Sequence, residues 1–308
     1  MNEPRHFLVV AHTGRSAALD ATEEVCTQLL DAGAVPVISA DQWDEVHASI
    51  PHVDGRLRRM EEVDPALIEL AIILGGDGTI LRAAELTRAH PVPLLGVNLG
   101  HVGFLAESER DDLGYTVSRA LARDYAVEER MTLAVRVERG SEVLHDGWAL
   151  NEVTVEKAER ERMLEVVIEV DQRPLSSFGC DGVVMSTPTG STAYSFSGGG
   201  PIVWPTVEAM LLVPLSAHAL FARPIVVAPD STLAVEVLQR TETAAVLWSD
   251  GRRMFDLPTG SRVVVTRSDV PVRLARLHEA PFTDRLVSKF ALPVTGWRGP
   301  SGRGAGAR

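Results

Sequence analysis

The chain has 308 residues, 45% of them hydrophobic and 23% charged, with a formal charge of −12. A length of this order favours two domains with ample core. The negative balance excludes a broad nucleic-acid-binding surface, which needs clustered positive charge, but leaves room for a small phosphorylated ligand held by a few local groups.

In chain order, Phe7-Leu-Val-Val-Ala11 predicts a buried strand. His12-Thr-Gly-Arg15 then turns into an amphipathic helix over Ser16–Asp31, stopped by Gly33. Val35–Ile38 is a second strand, and a polar stretch runs through Asp64. Residues 67–74 form a third strand, a helix follows over 80–89, and beyond Pro91 residues 92–97 form a fourth strand. Alternation of this kind predicts a parallel sheet with ligands at the carboxyl ends of its strands. His12–Arg15, the loop around Asp77 and Asn98-Leu-Gly-His-Val-Gly103 all lie at such ends.

The third strand ends in Gly75-Gly76-Asp77-Gly78-Thr79, a strand, glycine turn and helix start that would place a phosphate at a helix N-terminus. The glycines remove the Cβ atoms that keep a backbone away from a charged ligand, and they permit positive φ. Asp77 would repel a phosphate held on the loop, so it implies a bridging cation, a hydroxyl to deprotonate, or both. A plain Asp-Gly surface turn explains the same residues without a ligand.

From Ala126 the period changes to two. Leu133, Val135 and Val137 alternate with polar neighbours, Arg139-Gly-Ser141 reads as a hairpin turn, and Leu164–Val170 alternates in the same way. Further strands are expected at 225–228, 233–238, 245–248 and 263–266, so this region is mostly β. The Gly-rich residues 299–308 read as a disordered tail.

Three more segments carry chemistry. Ser186–Ser197 packs small hydroxyls around Gly190, with Tyr194 offering an aromatic face; a Ser/Thr-capped helix start after Pro188 is the competing reading. Trp148-Ala-Leu-Asn151-Glu152 is expected within one strand. There Asn151 reads an amide or base edge and Glu152 accepts from sugar hydroxyls, unless Glu152 faces solvent on an edge strand. Asp181-Gly182 and Asp250-Gly251 sit at strand ends, where ordinary hairpins explain them equally well.

Absent motifs narrow the choice. The two lysines, Lys157 and Lys289, follow no glycine, so there is no Walker A loop, and no Gly-x-Gly-x-x-Gly stretch occurs. Cys26 and Cys180 form no Cys-x-x-Cys pair, and the nine histidines show no metal spacing. Free thiols fit a reducing compartment. No run approaches membrane-spanning length, and Phe7–Ala11 is too short for a signal-peptide core. A cytoplasmic protein without membrane or nucleic-acid partners is expected.

In order and spacing, Gly75–Thr79, Asn98–Ala106, Asn151-Glu152, Asp181-Gly182, Thr189–Ser195 and Pro281–Leu286 resemble the NAD kinase family, from about residue 6 to residue 297. The resemblance implies an α/β N-terminal domain with a parallel sheet over residues 1–125 and an all-β, sandwich-like domain over 126–280. A segment 281–298 would return to the first domain, ahead of the tail. It implies phosphorylation of the adenosine-ribose 2′-hydroxyl of NAD, with ATP or polyphosphate as donor and a divalent cation, Mg²⁺. By residue match Asp77 is the catalytic base, with Gly78 beside it. Asn151, Glu152, Asp181, Thr192, Ala193, Tyr194, Ser195 and Ser197 are the dinucleotide contacts, and Arg82 and Arg162 are further ligand positions. Arg252 departs from the neutral residue common at its place and adds a phosphate contact or is a surface substitution; metal ligands are not assigned. A homodimer or homotetramer is implied. The alternatives are a lipid or sugar-phosphate kinase sharing the loop, and a dinucleotide-binding regulator that would not need Asp77.

Overall fold

Buried β-branched runs organise the first half of the chain. The computed structural model describes residues 4–50, 53, 55–100, 103–106, 108–109, 112–159, 162–241, 244–278 and 281–294, so the tail 299–308 and His101-Val102 lie outside the described residues. Two compact units emerge, one of residues up to Val127 together with those from Ala275 onward, the other Glu128–Leu274.

The first unit begins with β1 (His6–Ala11), α1 (Ser16–Asp31), β2 (Val35–Ile38), α2 (Ala40–Ser49) and β3 (Arg58–Arg59). It continues with β4 (Ile68–Leu74), α3 (Asp77–Leu86), β5 (Leu94–Asn98), β6 (Ser108–Glu109), α4 (Leu113–Ala122) and β7 (Ala126–Arg130). The sheet runs β3-β2-β1-β4-β5, with all these pairs parallel and β6 parallel on β5. It is completed by β20 (Val272–Arg276) and β7. The chain builds outward from β1 to β3 and then returns to the other side of β1 at β4. The order therefore reverses between β1 and β4, the switch point where open α/β sheets bind ligands.

Helix α1 forms because Ala18, Ala21, Thr22, Val25, Cys26 and Leu29 recur on one face and bury against β1, β2 and β4 residues such as Phe7, Ile38 and Leu70. Helix α2 carries no such stripe, only Gln42 and Val46 being buried, which is why its sequence reads as a polar loop. What fixes it is polar: the Gln42 amide pairs with both backbone groups of Ala11. Helix α3 starts at Asp77, three residues before the expected position 80, with Gly76 as its N-cap, so Asp77 lies on the first helical turn.

The second unit is antiparallel throughout. It comprises β8 (Leu133–Arg139), β9 (Glu142–Ala149), β10 (Glu152–Lys157), β11 (Leu164–Val170), β12 (Arg173–Cys180), β13 (Gly182–Ser186) and α5 (Tyr194–Ser197). The strands β14 (Met210–Leu215), β15 (Ile225–Val227), β16 (Leu233–Val237), β17 (Ala245–Ser249), β18 (Arg253–Leu257) and β19 (Arg262–Arg267) follow. One sheet runs β12-β11-β16-β19-β8-β9 and the other β15-β14-β13-β10-β17-β18. Inward residues of both, among them Leu133, Val135, Val153, Val155, Leu164 and Val235, share one core. The single strand expected through Trp148–Glu152 is broken: β9 ends at Ala149, Leu150-Asn151 bends, and β10 begins at Glu152.

After β20, helix α6 (Phe282–Phe290) closes the described chain within the first unit. Across that unit, Glu69 of β4 accepts from Arg5 at 2.5 and 2.8 Å and from Arg123 at 2.8 and 2.9 Å. Burial alone would raise the Glu69 pKa, but the two guanidiniums bring it from 4.5 down to about 2. The depressed value means that this cluster stabilises the fold above pH 4.5 and loses its effect as pH falls toward about 2. Glu69→Gln should therefore cost about 1–3 kcal/mol at pH 7 in urea unfolding, a charged hydrogen-bond cluster being partly screened by solvent. The gap between variant and wild type should close as the acid is titrated; a gap that persists at low pH would mean that shape, not charge, holds the cluster.

Candidate active site

At the carboxyl edge of the parallel sheet, β4 hands its chain to a glycine turn. The Gly75 amide still donates to Val97 O at 2.9 Å, after which the backbone turns into α3. A Cβ at Gly75 would lie 2.4 Å from Thr79 Oγ1, so that position is closed by packing. Gly76 and Gly78 are exposed, and a Cβ on either would meet nothing within 4 Å, so a ligand can approach the bare backbone there. None of the three glycines uses the positive φ that glycine permits; their value is access, not unusual backbone.

Asp77 is half-buried and anchored. Its Oδ2 accepts from the Phe104 amide and its Oδ1 from the Leu105 amide, both at 3.1 Å. The segment passes so close that a Cβ on Gly103 would lie 2.4 Å from Oδ1. The open first turn of α3 places helix N–H groups and this fixed carboxylate side by side. Arg82, predicted near the ligand, ion-pairs with Asp41.

In the second unit β10 is a central strand with opposite faces of opposite character. Val153 and Val155 point into the core, while Glu152, Thr154 and Glu156 line a cavity of about 300 Å³ with Tyr194, Trp248 and Gly251. Glu152 is therefore not the solvent-facing residue of an edge strand; it lies between β13 and β17 and is 7% exposed. The Tyr194 amide donates to its carboxyl, and Oε2 has no partner. Burial, with Asp250 adding repulsion, pushes its pKa from 4.5 up to about 8.

The bend before Glu152 is fastened by Asp250. The amides of Leu150 and Asn151 donate to its two oxygens at 3.0 and 2.6 Å, and Arg253 pairs with Oδ2 at 2.7 Å while its guanidinium lies over the Trp148 ring. Burial raises the Asp250 pKa, and the amides and Arg253 oppose that. On the other side Thr187 Oγ1 donates to Leu150 O at 2.6 Å, and Gly190 leaves no room for a Cβ, which would fall 2.0 Å from Asn151 O.

The hydroxyl-rich segment is mostly turned inward. Thr187, Ser191 and Thr192 give their hydroxyls to backbone carbonyls, and Ser195 is buried against Gly200. The segment forms a short 3-10 turn and α5 after Pro188, which leaves Thr192 and Ala193 half-buried and Tyr194 and Ser197 exposed. Asp181 pairs with Lys157 at 2.5 Å, which with Ser216 lowers its pKa, and Arg162 is exposed at a bend and Arg252 on a turn. Sequence reasoning missed Thr154, Glu156 and Trp248. The alternation Glu-Val-Thr-Val-Glu at 152–156 was the available signal for the first two; nothing local marks Trp248.

An α/β unit whose switch point offers an open glycine loop, followed by a β-sandwich with an aromatic and acidic cavity, defines a nucleotide-handling enzyme. The ATP-NAD kinase N-terminal domain model matches residues 7–125 and the C-terminal domain model residues 150–277. The chain is 68% identical to an NAD kinase of Leifsonia xyli over 98% of its own length and all of that protein, and 58% identical to NAD kinase 2 of Streptomyces coelicolor over 97% and 98%. A yeast NADH kinase complexed with NADH superposes with a TM-score of 0.85 at 22% identity, covering 96% of this chain and 90% of that one. An Archaeoglobus fulgidus NAD kinase in complex with ATP gives 0.68 at 23%, covering 94% and 100%; both bear on the fold alone. The chain belongs to the NAD kinase family. Nothing in these matches favours a lipid or sugar-phosphate kinase.

The raised Glu152 pKa has a testable sign. A carboxyl protonated in the folded state and ionised in the unfolded one stabilises below pH 4.5, and that contribution is lost as pH rises through about 8. Without nucleotide, Glu152→Gln should melt like wild type in mild acid and at a higher temperature above pH 8. A difference independent of pH would show that Glu152 is charged throughout.

Proposed function

We propose that this enzyme transfers a phosphoryl group from ATP or polyphosphate to the 2′-hydroxyl of the adenosine ribose of NAD, with Asp77 as the base. The observation that carries the assignment is the Asp77 carboxylate, fixed by two amides beside the exposed Gly76 and Gly78. A ribose hydroxyl is a weak nucleophile. A carboxylate that accepts its proton as the oxygen–phosphorus bond forms and the donor's bond breaks removes that deficit. Because both oxygens are already held, Asp77 needs no reorganisation at the moment of reaction. The amides of the glycine loop and the first turn of α3 bind and orient phosphate oxygens.

Among the described residues no cluster of three His, Cys, Asp or Glu is arranged for a metal. A Mg²⁺ would be held by Asp77 among the described residues of the loop, together with oxygens of the donor. When bound, such an ion neutralises charge on the phosphates.

The nucleoside falls to the second unit. Tyr194 and Trp248 supply aromatic faces, and the unpartnered Oε2 of Glu152 is a buried acceptor that a ribose hydroxyl would satisfy. Asn151, Asp181, Thr192, Ala193 and Ser197 remain contacts in this reading, as do Arg162 and Arg252. Ser195 serves by packing.

We place the reaction in the cytoplasm, in keeping with two free, buried thiols whose pKa values burial pushes up to about 12. Among the described residues no helix is long and apolar enough to cross a membrane. A homo-oligomer is supported by the edge strand β15, where Val226 is exposed, and by the exposed Leu220 and Phe221 just before it.

A coupled assay for NADP formation from NAD and ATP tests the reading. In it Asp77→Asn should lose about 10²–10⁴-fold in turnover. A folded variant that keeps more than about a tenth of wild-type activity would remove Asp77 as the base. Tyr194→Ala should raise KM for NAD more than it lowers kcat, having removed a ground-state contact; an unchanged KM would leave Tyr194 without a part in binding.

A further inference from the structure

The two amides that hold Asp77 belong to no helix or strand. Residues 103–106 pass between β5 and β6 without a ladder of their own, yet their placement decides where the carboxylate sits. The carbonyls of the same stretch are gripped from the other side. Arg285 of α6 gives the two N–H bonds of Nη1 to Phe104 O at 2.9 Å and Ala106 O at 2.8 Å, and Arg276 of β20 donates to Leu105 O at 3.1 Å.

One peptide bond joins the two halves of this arrangement. The carbonyl of Phe104 accepts from Arg285, and the amide on the same peptide, that of Leu105, donates to Asp77 Oδ1. A guanidinium at one end and a carboxylate at the other polarise the peptide in the same sense, so each hydrogen bond strengthens the other. The Phe104 ring is 8% exposed and sits 5.9 Å from both Phe282 and Phe290, which fixes the segment against the helix that carries Arg285. Rotation of that segment is thus opposed by two ring contacts and three charged donor bonds.

We propose that Arg285, assisted by Arg276, is a positioning residue for phosphoryl transfer, holding the 104–105 peptide so that its amides set the Asp77 carboxylate. The inference rests on the assignment of Asp77 as base. Arg285 touches neither substrate nor reacting atoms in this role; it acts through a backbone that belongs to no helix or strand. Helix α6 is then part of the catalytic apparatus, although the resemblance carried by Pro281–Leu286 assigns it no ligand contact.

The test is a double-mutant cycle measured by NADP formation. Arg285→Met removes the donors and keeps the apolar stem; kcat should fall about 10- to 100-fold, as for a group displaced by about 1 Å, with KM for NAD within about twofold. Arg285→Lys, which restores donors to the carbonyls, should recover most of the loss. In the Asp77→Asn background the same Arg285→Met change should cost less than about twofold, because the carboxylate it positions is already gone. Equal losses in both backgrounds, or unchanged kcat in a folded Arg285→Met, would overturn the proposal. Should Arg285→Met fail to fold, Arg276→Met in the same two backgrounds decides on the same criteria. Turnover that survives Asp77→Asn would instead defeat the assignment of the base, whereas turnover lost with Asp77→Asn but kept with Arg285→Met defeats only the positioning role.

Discussion

A carboxylate taken out of water must find donors, and three carboxylates of this chain find them in backbone amides to different degrees. Asp250 receives two amides and a guanidinium, and Asp77 receives two amides while staying half-exposed. Glu152 receives one amide and is left with a buried oxygen that has no partner. Leaving a buried polar atom unpaired costs about 1–3 kcal/mol, so a fold keeps one only where a ligand completes it or the group stays protonated. The gradation matches three roles. Asp250 is internal structure, Asp77 is held but accessible, and Glu152 is left to a proton or a ligand.

Much of the fold was legible in the sequence because its signals are local. The bounds of α1 and β2 follow from an apolar stripe and a short β-branched run, and the change of period near residue 126 marks the antiparallel region. Helix α2 was not legible, since a buried glutamine does the work of an apolar face. The start of α3 was misplaced because glycine is a poor helix former, and propensity argues against a helix that begins beside two of them. Here the N-cap geometry of Gly76 overrides that preference.

The site was legible as residue types and illegible as contacts. Asp77, Glu152 and Tyr194 stand out by chemistry, but the amides that hold Asp77 come from 27 and 28 residues away and the guanidinium behind them from 181 further on. Local pattern carries no information at that separation. The hydroxyls of 186–197 misled for a different reason. Small polar residues serve a tight backbone as readily as they serve a ligand. Thr187, Ser191 and Thr192 do the former, leaving the backbone close enough for Gly190 to lie on Asn151.

The pair Arg252-Arg253 shows how turn geometry settles what composition leaves open. Asp250 and Gly251 both have positive φ, at 54° and 62°, and open the three-residue turn 250–252 between β17 and β18, whose last pair is Ser249 with Arg253. Arg252 is the last residue of that turn and Arg253 the first of β18. Arg253 lies on Asp250 and over the Trp148 ring, and Arg252 is exposed. The arginine with the structural duty is the one that sequence comparison gives no reason to single out. Its neighbour is exposed on the turn, while Arg253 pairs with the carboxylate that fastens the Asn151 bend.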